Sequence, residues 1–497
     1  MSHINQSADW RARGEQLRIE ARAFIAGQYG VARDGARFTV TSPIDGRVLA
    51  EVVSCGEAEV ERAVVAARQC FDSGVWADLP PRQRKAVLLR WARLLETHAE
   101  ELALLETLDS GKPIADTTSV DIPSAIYCLE WFAELADKVA GEVPACDPGF
   151  LGTVTREPVG VVAAIVPWNY PLLMATWKFA PALAAGNSVL LKPSEKTPLT
   201  ALRIAALAQQ AGIPDGVFNV LPGDGRTGRL LSLHGDIDCI AFTGSGKVGR
   251  EIAANAAASN LKRVWLELGG KSANIVMADC PDLDRAAQSA AAAVFGNMGQ
   301  VCSAGSRLLV QRAIAPTFID KLCAAAQSYL PGDPLDPASV TGSLIDAGHC
   351  TRVRQFVDAA RAEAQLLLGG DSVAPVAGGS YLQPTIFKVS DPQASIAREE
   401  IFGPVLAVIE FDDLEQAIAI ANASEYGLAA AFWSADLASI RRATRGLRAG
   451  TVWVNCYDEL LDMNFPFGGF KQSGNGRDNS VHALEKYSEL KSTIIRC

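Results

Sequence analysis

Histidine is scarce in this chain, with five in 497 residues. None stands in the glycine-rich stretch FGNMGQVCSAGSR at 295–307, which carries Cys302. That works against a cysteine–histidine hydrolase, in which an imidazole takes the thiol proton. The eleven cysteines form no CxxC pair and no spacing suited to zinc or to a disulfide framework. No metal is therefore expected, and most cysteines read as small buried hydrophobes in a reducing compartment. Positive charge is also short: 46 Lys and Arg against 56 Asp and Glu leave a formal charge of −10. Nucleic acid and anionic membranes are repelled by such a chain at long range. No long apolar run is unbroken, since VGVVAAIVPWNYPLLMATWKFAPALAAG (159–186) is interrupted by Pro167, Pro171, Lys178 and Pro181. It reads as buried strand, turn and helix rather than a membrane span. The opening MSHINQSADWRARGEQLRIEARAF mixes charges and lacks the apolar core and cleavage site of a secretory signal, so the expected location is the cytoplasm.

What is present is apolar bulk, 49% of residues, in a chain too long for one core, so two or three domains are expected. Apolar β-rich runs alternate with helical ones: GVVAAIVP then WKFAPALAAG, SVLLKP then TALRIAALAQQAG, VFNVLPG then TGRLLSLHG, DCIAFTGS then KVGREIAANAAA. This alternation predicts an α/β fold with a doubly wound parallel sheet. Residues 57–113 read as successive amphipathic helices with turns at DLPP and DSGKP. A second α/β domain is expected after Asp279, running through SRLLVQR and PTFIDKLCAAAQSYL to TVWVNCY and carrying Cys302. The tail LEKYSELKSTIIRC ends in a strand-like segment with no neighbour in sequence, expected to pair with another subunit or with a distant hairpin.

Glu267, in LELGGKSAN, stands about 35 residues before Cys302. A thiol nucleophile with an upstream carboxylate base points to covalent carbonyl chemistry. A free thiol is mostly protonated at neutral pH, so it needs a base or a stabilised thiolate. Glu267 can take that role and can also activate water, provided its own pKa is raised; its apolar neighbours Trp265, Leu266 and Leu268 favour that. The run FTGSGKVG (242–249) follows a predicted strand and opens a predicted helix, with Gly244, Gly246 and Gly249 in a GxGxxG pattern. A pyrophosphate on a helix N-terminus and a plain tight turn both fit it. In LLKPSEKTP, Lys192 and Glu195 either hydrogen-bond the hydroxyls of an adenosine ribose, which favours NAD over NADP, or form a solvated ion pair.

The runs IVPWNYP, LKPSEKTPL, FTGSGKVG, LELGGKSAN, GQVCSAG, EEIFGPV and PFGGFKQSGNGR occur in the order that marks the aldehyde dehydrogenase superfamily, and the chain resembles that family over nearly its whole length. The resemblance implies a Rossmann-like coenzyme domain (1–139 and 159–271), an α/β catalytic domain (272–473) and a small β oligomerisation element (140–158 and 474–497). It further implies a homo-oligomer, dimer or tetramer. It gives the oxyanion-donor role to the Asn169 side chain beside the backbone N–H of Cys302. Lys178 is given a proton path shared with Asp478, where many relatives have Glu. For the coenzyme it implies Ile165, Trp168, Lys192, Glu195, Gly225 and Phe242, with Gly244, Ser245, Val248, Leu268, Glu400 and Phe402.

More narrowly, HAEELALLETLDSGKPI, KSANIVMADCPDL and KQSGNGRDNSVHALEKY resemble the bacterial polyamine-catabolism branch. Its members oxidise 4-aminobutyraldehyde, its γ-glutamyl form, 3-aminopropionaldehyde or 4-guanidinobutyraldehyde. The substrate pocket is expected from Tyr170, Met174, Trp177, Val301, Ser303 and Phe467, and from the loop CYDELLDMNFPFGG with Asp458, Glu459 and Asp462. Those acids beside Tyr457 and Phe465 suit an ammonium or guanidinium group, or else they solvate an exposed loop that is longer around 459–461 than the family pattern. Neutral aliphatic or aromatic aldehydes are the alternative substrates. A CoA-acylating dehydrogenase, disfavoured by Glu267, and a non-catalytic relative, disfavoured by intact Cys302, Glu267 and Asn169, are the other classes.

Overall fold

The computed structural model describes residues 9–460 and 462–497. The first eight residues of the N-terminal stretch and Leu461, in the lengthened loop, lie outside them.

Five strands of the first alternating region are parallel, in the spatial order Arg263–Glu267, Cys239–Thr243, Val161–Ile165, Ser188–Lys192, Phe218–Val220. They are near-continuous runs of Val, Ile, Leu and Ala because both sheet faces are covered. Alternation still decides which face each residue serves. Val162, Ala164, Val189 and Leu191 join a core with Trp91, Phe132 and Phe179. Val161, Ala163, Ile165 and Leu190 join the opposite core with Val60, Leu231 and Ile252. After Phe218–Val220 the chain crosses back over the first strand and adds Cys239–Thr243 on its other side. That reversal opens a crevice at the C-terminal ends of Val161–Ile165 and Cys239–Thr243.

The sheet is mixed rather than wholly parallel. The hairpin of Ala23–Ile25 and Gln28–Gly30 extends it antiparallel beyond Phe218–Val220. Strands of three residues carry too little periodicity to be read from sequence. The helical arm is Glu57–Asp72, Pro81–Thr97 and Ala99–Ser110, with a break at His98 inside the apolar pattern and a left-handed Gly111 (φ 76°) ending the last helix.

A second sheet holds six parallel strands, in the order Thr385–Val389, Val405–Phe411, Arg307–Gln311, Ala273–Val276, Ala429–Trp433, Thr451–Val454. Gln365–Leu368 lies antiparallel at its edge. The tail strand Ser488–Arg496 pairs antiparallel with Phe150–Pro158 of the same chain over its whole length, which makes the distant hairpin its partner. Leu490, Ile494, Ile495, Phe150 and Leu151 on this ribbon remain exposed. Among the described residues no helix is long and apolar enough to cross a membrane.

The helical arm is fastened to the first sheet by Trp91, fully buried, stacked on Phe179 at 4.8 Å and edge-on to Phe218 at 5.1 Å. Its indole N–H has no partner, so packing alone is lost on truncation. Trp91→Ala is expected to cost about 3–5 kcal/mol, read as an earlier urea midpoint; an unchanged midpoint would show that the arm is held elsewhere.

Candidate functional site

A cleft of about 1020 Å³ lies where the C-terminal ends of the two sheets meet. This is at the upper end of small-ligand sites. The first sheet contributes Trp168 and Asn169, from the turn after Val161–Ile165, Gly244 and Ser245, after Cys239–Thr243, and Glu267 and Leu268 at the end of Arg263–Glu267. From the second sheet's side come Val301, Cys302 and Ser303, Glu400 and Phe402, and the loop after Thr451–Val454.

Cys302 sits on a loop whose preceding residues Asn297, Met298 and Gly299 all have positive φ (46°, 55° and 71°). Two of these are not glycine, so the turn is strained and is held by its partners. Asn297 Nδ2 donates to Asn169 O (3.1 Å) and to Gln300 O (3.2 Å), and Gln300 Oε1 accepts from Ile345 N (3.0 Å). Asn169 Nδ2 donates to Gln300 O at 2.8 Å. That bond uses one of its two amide hydrogens and leaves the other as a donor at the cleft. On the far side of the loop, Tyr457 Oη donates to Ser303 O at 2.5 Å. Burial first, then the Glu267, Glu400 and Asp458 carboxylates, push the Cys302 thiol above its ordinary value.

Glu267 is buried and its Oε1 has no hydrogen-bond partner. Burial pushes its carboxyl up to about 8, with Asp478 adding to the rise and Lys178, Lys486 and Arg477 opposing it. Lys178, on the helix Pro171–Ala184, does not line the cleft but lies behind it. It donates to Asp478 Oδ2, while Lys486 donates to Asp478 Oδ1, all three side chains being buried. The shorter Asp478 therefore does reach Lys178, and it gains Lys486, a second partner that sequence reasoning missed.

On the expected coenzyme side, Ser245 caps the helix Gly246–Ala258, its Oγ accepting from Val248 N at 3.4 Å. Free N–H groups of that first turn suit an anion. A Cβ on Gly244 would lie 2.5 Å from the Phe242 ring, and one on Gly249 would lie 2.8 Å from Leu268, so both glycines are needed for close packing. Gly270 N donates to Glu400 Oε1 at 3.0 Å, and a Cβ on Gly269 would collide with Glu400 Oε2 at 2.0 Å. Burial raises the Glu400 carboxyl to about 7 against that hydrogen bond.

Trp168 packs edge-on to Phe402 at 5.2 Å and to His349 at 5.4 Å. His349, in the first turn of the helix Ala347–Glu363, was not among the candidates, because nothing local in AGHCTRVRQF marks it. Its Nε2 lies 2.7 Å from Phe402 O, and burial pushes its pKa down to about 4, so it is neutral and packed rather than poised on the thiol. Ile165, Lys192, Glu195, Gly225, Phe242 and Val248 lie outside the cleft lining. Lys192 and Ile165 both approach Gly228, on the helix Gly225–Leu233, at about 4 Å from where a Cβ would be. Lys192 Nζ and Glu195 lie 3.6 Å apart, but Lys192 is buried, so the pair is not the solvated one of the alternative reading.

On the other side of Cys302, Tyr170, Met174, Trp177, Val301, Ser303 and Phe467 form the wall, Trp177 and Phe467 meeting at 5.3 Å. Lys112 Nζ sits 3.5 Å from the centre of the Tyr170 ring and pairs with Asp121 at 2.6 Å. Asp458 and Asp462 both line the cleft, and burial raises the Asp458 carboxyl while a hydrogen bond with Ser303 lowers it. Glu459 turns away: its carboxylate is taken by Arg285 (2.8 Å) and Ser289 (3.1 Å), so it does not belong to the acidic group at the cleft.

Residues 31–493 match the Aldehyde dehydrogenase family. The NADP/NAD-dependent aldehyde dehydrogenase PuuC of Escherichia coli is 52% identical over 99% of both chains. The structure of a γ-glutamyl-γ-aminobutyraldehyde dehydrogenase from Burkholderia cenocepacia is 64% identical over 98% of this chain and 99% of that one, with a TM-score of 0.97. An indole-3-acetaldehyde dehydrogenase of P. syringae, solved with NAD+ and IAA, is 55% identical over 100% of both, with a TM-score of 0.98.

A Cβ on Gly270 would fall 2.6 Å from Cys302 O. Gly270→Ala is therefore expected to displace the thiol and lower turnover about 100-fold while circular dichroism stays unchanged; full turnover would mean that the loop tolerates the methyl group.

Proposed function

Because the chain belongs to the aldehyde dehydrogenase family, we propose that it oxidises a cationic aminoaldehyde to its carboxylate, with Cys302 as nucleophile and NAD as coenzyme. The observation that carries this reading is one cleft lined by Cys302, Glu267 and Asn169, with a helix N-terminus at one side and Asp458 and Asp462 at the other.

NAD supplies the hydride acceptor. The first turn of Gly246–Ala258 would hold its pyrophosphate and Lys192 and Glu195 its adenosine ribose, while Glu400 would hold the second ribose, with Trp168 and Phe402 beside it. The helix N-terminus at Ser245 and the Glu400 carboxylate, which line the same cleft, support that fit. Cys302 Sγ, its proton passed to Glu267, adds to the aldehyde carbon and forms a thiohemiacetal. The oxyanion is met by the free amide hydrogen of Asn169 and the backbone N–H of Cys302. Oxidation leaves a thioester on Cys302. Once that first proton has passed on to solvent, Glu267 takes one from water, whose hydroxyl adds to the thioester carbonyl; collapse expels the thiolate, which regains a proton from Glu267, and the acid leaves as carboxylate with loss of a second proton to solvent. A carboxyl near 8 is a better base at neutral pH than one at 4.5.

The ammonium of the substrate would lie toward Asp458 and Asp462, within aromatic walls that favour cations. The relative named for γ-glutamyl-γ-aminobutyraldehyde supports an ammonium-bearing aldehyde, that compound being a zwitterion overall. Neutral aromatic aldehydes are the second reading, favoured by the Trp177–Phe467 wall and by the relative named for indole-3-acetaldehyde. The reading includes a coenzyme unit of 1–139 and 159–271 and a catalytic unit of 272–473. It also includes a cytoplasmic homo-oligomer joined through the ribbon of 140–158 and 474–497, supported by that ribbon's exposed Leu490, Ile494 and Ile495.

NADH formation with 4-aminobutyraldehyde, its γ-glutamyl form, 3-aminopropionaldehyde, 4-guanidinobutyraldehyde, propanal and hexanal tests the substrate class. A higher kcat/KM is expected for the members that carry an ammonium or guanidinium than for propanal and hexanal, and Asp458→Asn and Asp462→Asn should raise KM most for the net cations 4-aminobutyraldehyde, 3-aminopropionaldehyde and 4-guanidinobutyraldehyde. Equal effects on the neutral aldehydes would overturn the acidic-loop role. Asn169→Ala is expected to lower kcat about 10²–10³-fold with little change in NAD binding. Since Glu267 acts deprotonated and its carboxyl is raised to about 8, kcat/KM should fall as pH drops through that value; a profile flat from pH 6 to 9 would remove Glu267 as the base.

A further inference from the structure

Behind Glu267, in a region that no substrate reaches, lies a buried group of charges that the reaction as written does not use. Asp478 accepts from Lys178 on one carboxylate oxygen and from Lys486 on the other, and the three side chains are nearly without solvent exposure. They arrive on three separate elements: Lys178 on the helix Pro171–Ala184, Asp478 on the turn after Gly474, and Lys486 on the short helix Val481–Tyr487.

Lys486 and the turn that carries Asp478 are both pinned to the strand that ends in Glu267. Gly474 bridges Glu267, Asn475 N donates to Leu266 O (2.9 Å), Leu266 N donates to Asn475 Oδ1 (2.7 Å), and Trp265 Nε1 donates to Lys486 O (3.1 Å). A Cβ at Gly474 would collide with Leu266 O at 2.1 Å, and one at Gly476 with the Trp265 ring at 2.7 Å, so the turn lies directly on the strand.

We propose that Lys486 is a positioning residue for Glu267, its ammonium completing a buried quartet in which Lys178 and Lys486 balance the anions Asp478 and Glu267. The inference rests on the reading of Glu267 as the base. With only one lysine the group would hold two carboxylates against one ammonium, and Asp478 would oppose the ionisation of Glu267 unaided. With Lys486 present, the ionised form of Glu267 brings the buried charge to neutrality. The charged groups facing Glu267 are Asp478, Lys178, Lys486 and Arg477. Arg477 is half-buried, and its Nη1 is engaged by the carbonyls of Gly469 and Gly476, so Lys486 is the second fully buried cation. Both ammonium groups hold the Asp478 carboxyl below its ordinary range despite burial. Burial pushes the Lys486 ammonium below its ordinary value and the Asp478 carboxylate opposes that, so the ammonium depends on its carboxylate partner.

The test is the acid limb of kcat/KM, measured as NADH formation by the full-length wild type, Lys486→Met, Asp478→Asn and the double variant. Lys486→Met is expected to move the limb up by about one pH unit. Asp478→Asn, which removes an anion, should move it down. The double variant removes one charge of each sign and should return the limb close to that of the wild type, an outcome that loss of packing alone cannot produce. A limb unmoved in folded Lys486→Met, or a double variant that keeps the single variant's shift, overturns the proposal. Should Lys486→Met fail to fold, Asp478→Asn and the double variant decide by the same criteria. Failure of the underlying reading looks different: the wild type then makes no NADH from any aldehyde, or Glu267→Gln keeps the wild-type profile.

Discussion

Asn169 and Asn297 tie together two segments that belong to different sheets. Asn169 reaches from the turn after Val161–Ile165 to Gln300 O, and Asn297 reaches back from the cysteine loop to Asn169 O. Both bonds are buried, so neither competes with water, and breaking either would leave an unpaired polar group inside. This tie lets Asn297 and Met298 remain in left-handed backbone, which no isolated turn of those residues would keep. Cys302 and Asn169 are therefore held relative to each other before any ligand arrives, which is where a fixed donor acts best.

A second close approach links the nucleophile to the coenzyme side. Gly269 and Gly270 follow Glu267 after Leu268, and each gives up its side-chain volume to a different neighbour: Gly269 to the Glu400 carboxylate, Gly270 to the carbonyl of Cys302. A four-residue stretch thus sets Glu267, the Glu400 carboxylate and the cysteine loop at once. A Cβ at Gly269 would fall 2.0 Å from Glu400 Oε2 and one at Gly270 2.6 Å from Cys302 O, both inside contact distance, which explains in steric terms why LELGGK is an informative string.

The parts of the fold legible in the sequence were those with long, regular periodicity. The buried parallel strands announced themselves as runs such as VVAAI and SVLLK, and the arm as amphipathic helices. The three-residue strands Ala23–Ile25 and Gln28–Gly30 carried no such pattern, and the break at His98 is hidden inside a continuous apolar stripe. At the site, Cys302 and Glu267 stand out from their local strings, whereas Asn169 reads as a turn residue between Trp168 and Tyr170 and takes its donor role only from the family resemblance. His349 and Lys486 were not, because each acquires its place only through tertiary contact: one against Trp168 and Phe402, the other across Asp478. Glu459 shows the converse. Its sequence neighbours suggested a cleft acid, but Arg285, far away in the chain, takes its carboxylate.

The charges around the thiol favour one kind of visitor. Glu267, Glu400 and Asp458 each raise the Cys302 thiol, and Lys178 and Lys486, the cations near Glu267, are bound to Asp478 behind the cleft wall rather than facing the sulfur. A neutral ligand leaves this balance as it is and only adds desolvation, which disfavours the thiolate further. A cation entering between Asp458 and Cys302 does the opposite: it satisfies carboxylates whose burial is otherwise uncompensated and favours the anionic sulfur through the same field. Under the proposed reading, activation of the thiol and a preference for a positively charged substrate would share one electrostatic origin in this cleft.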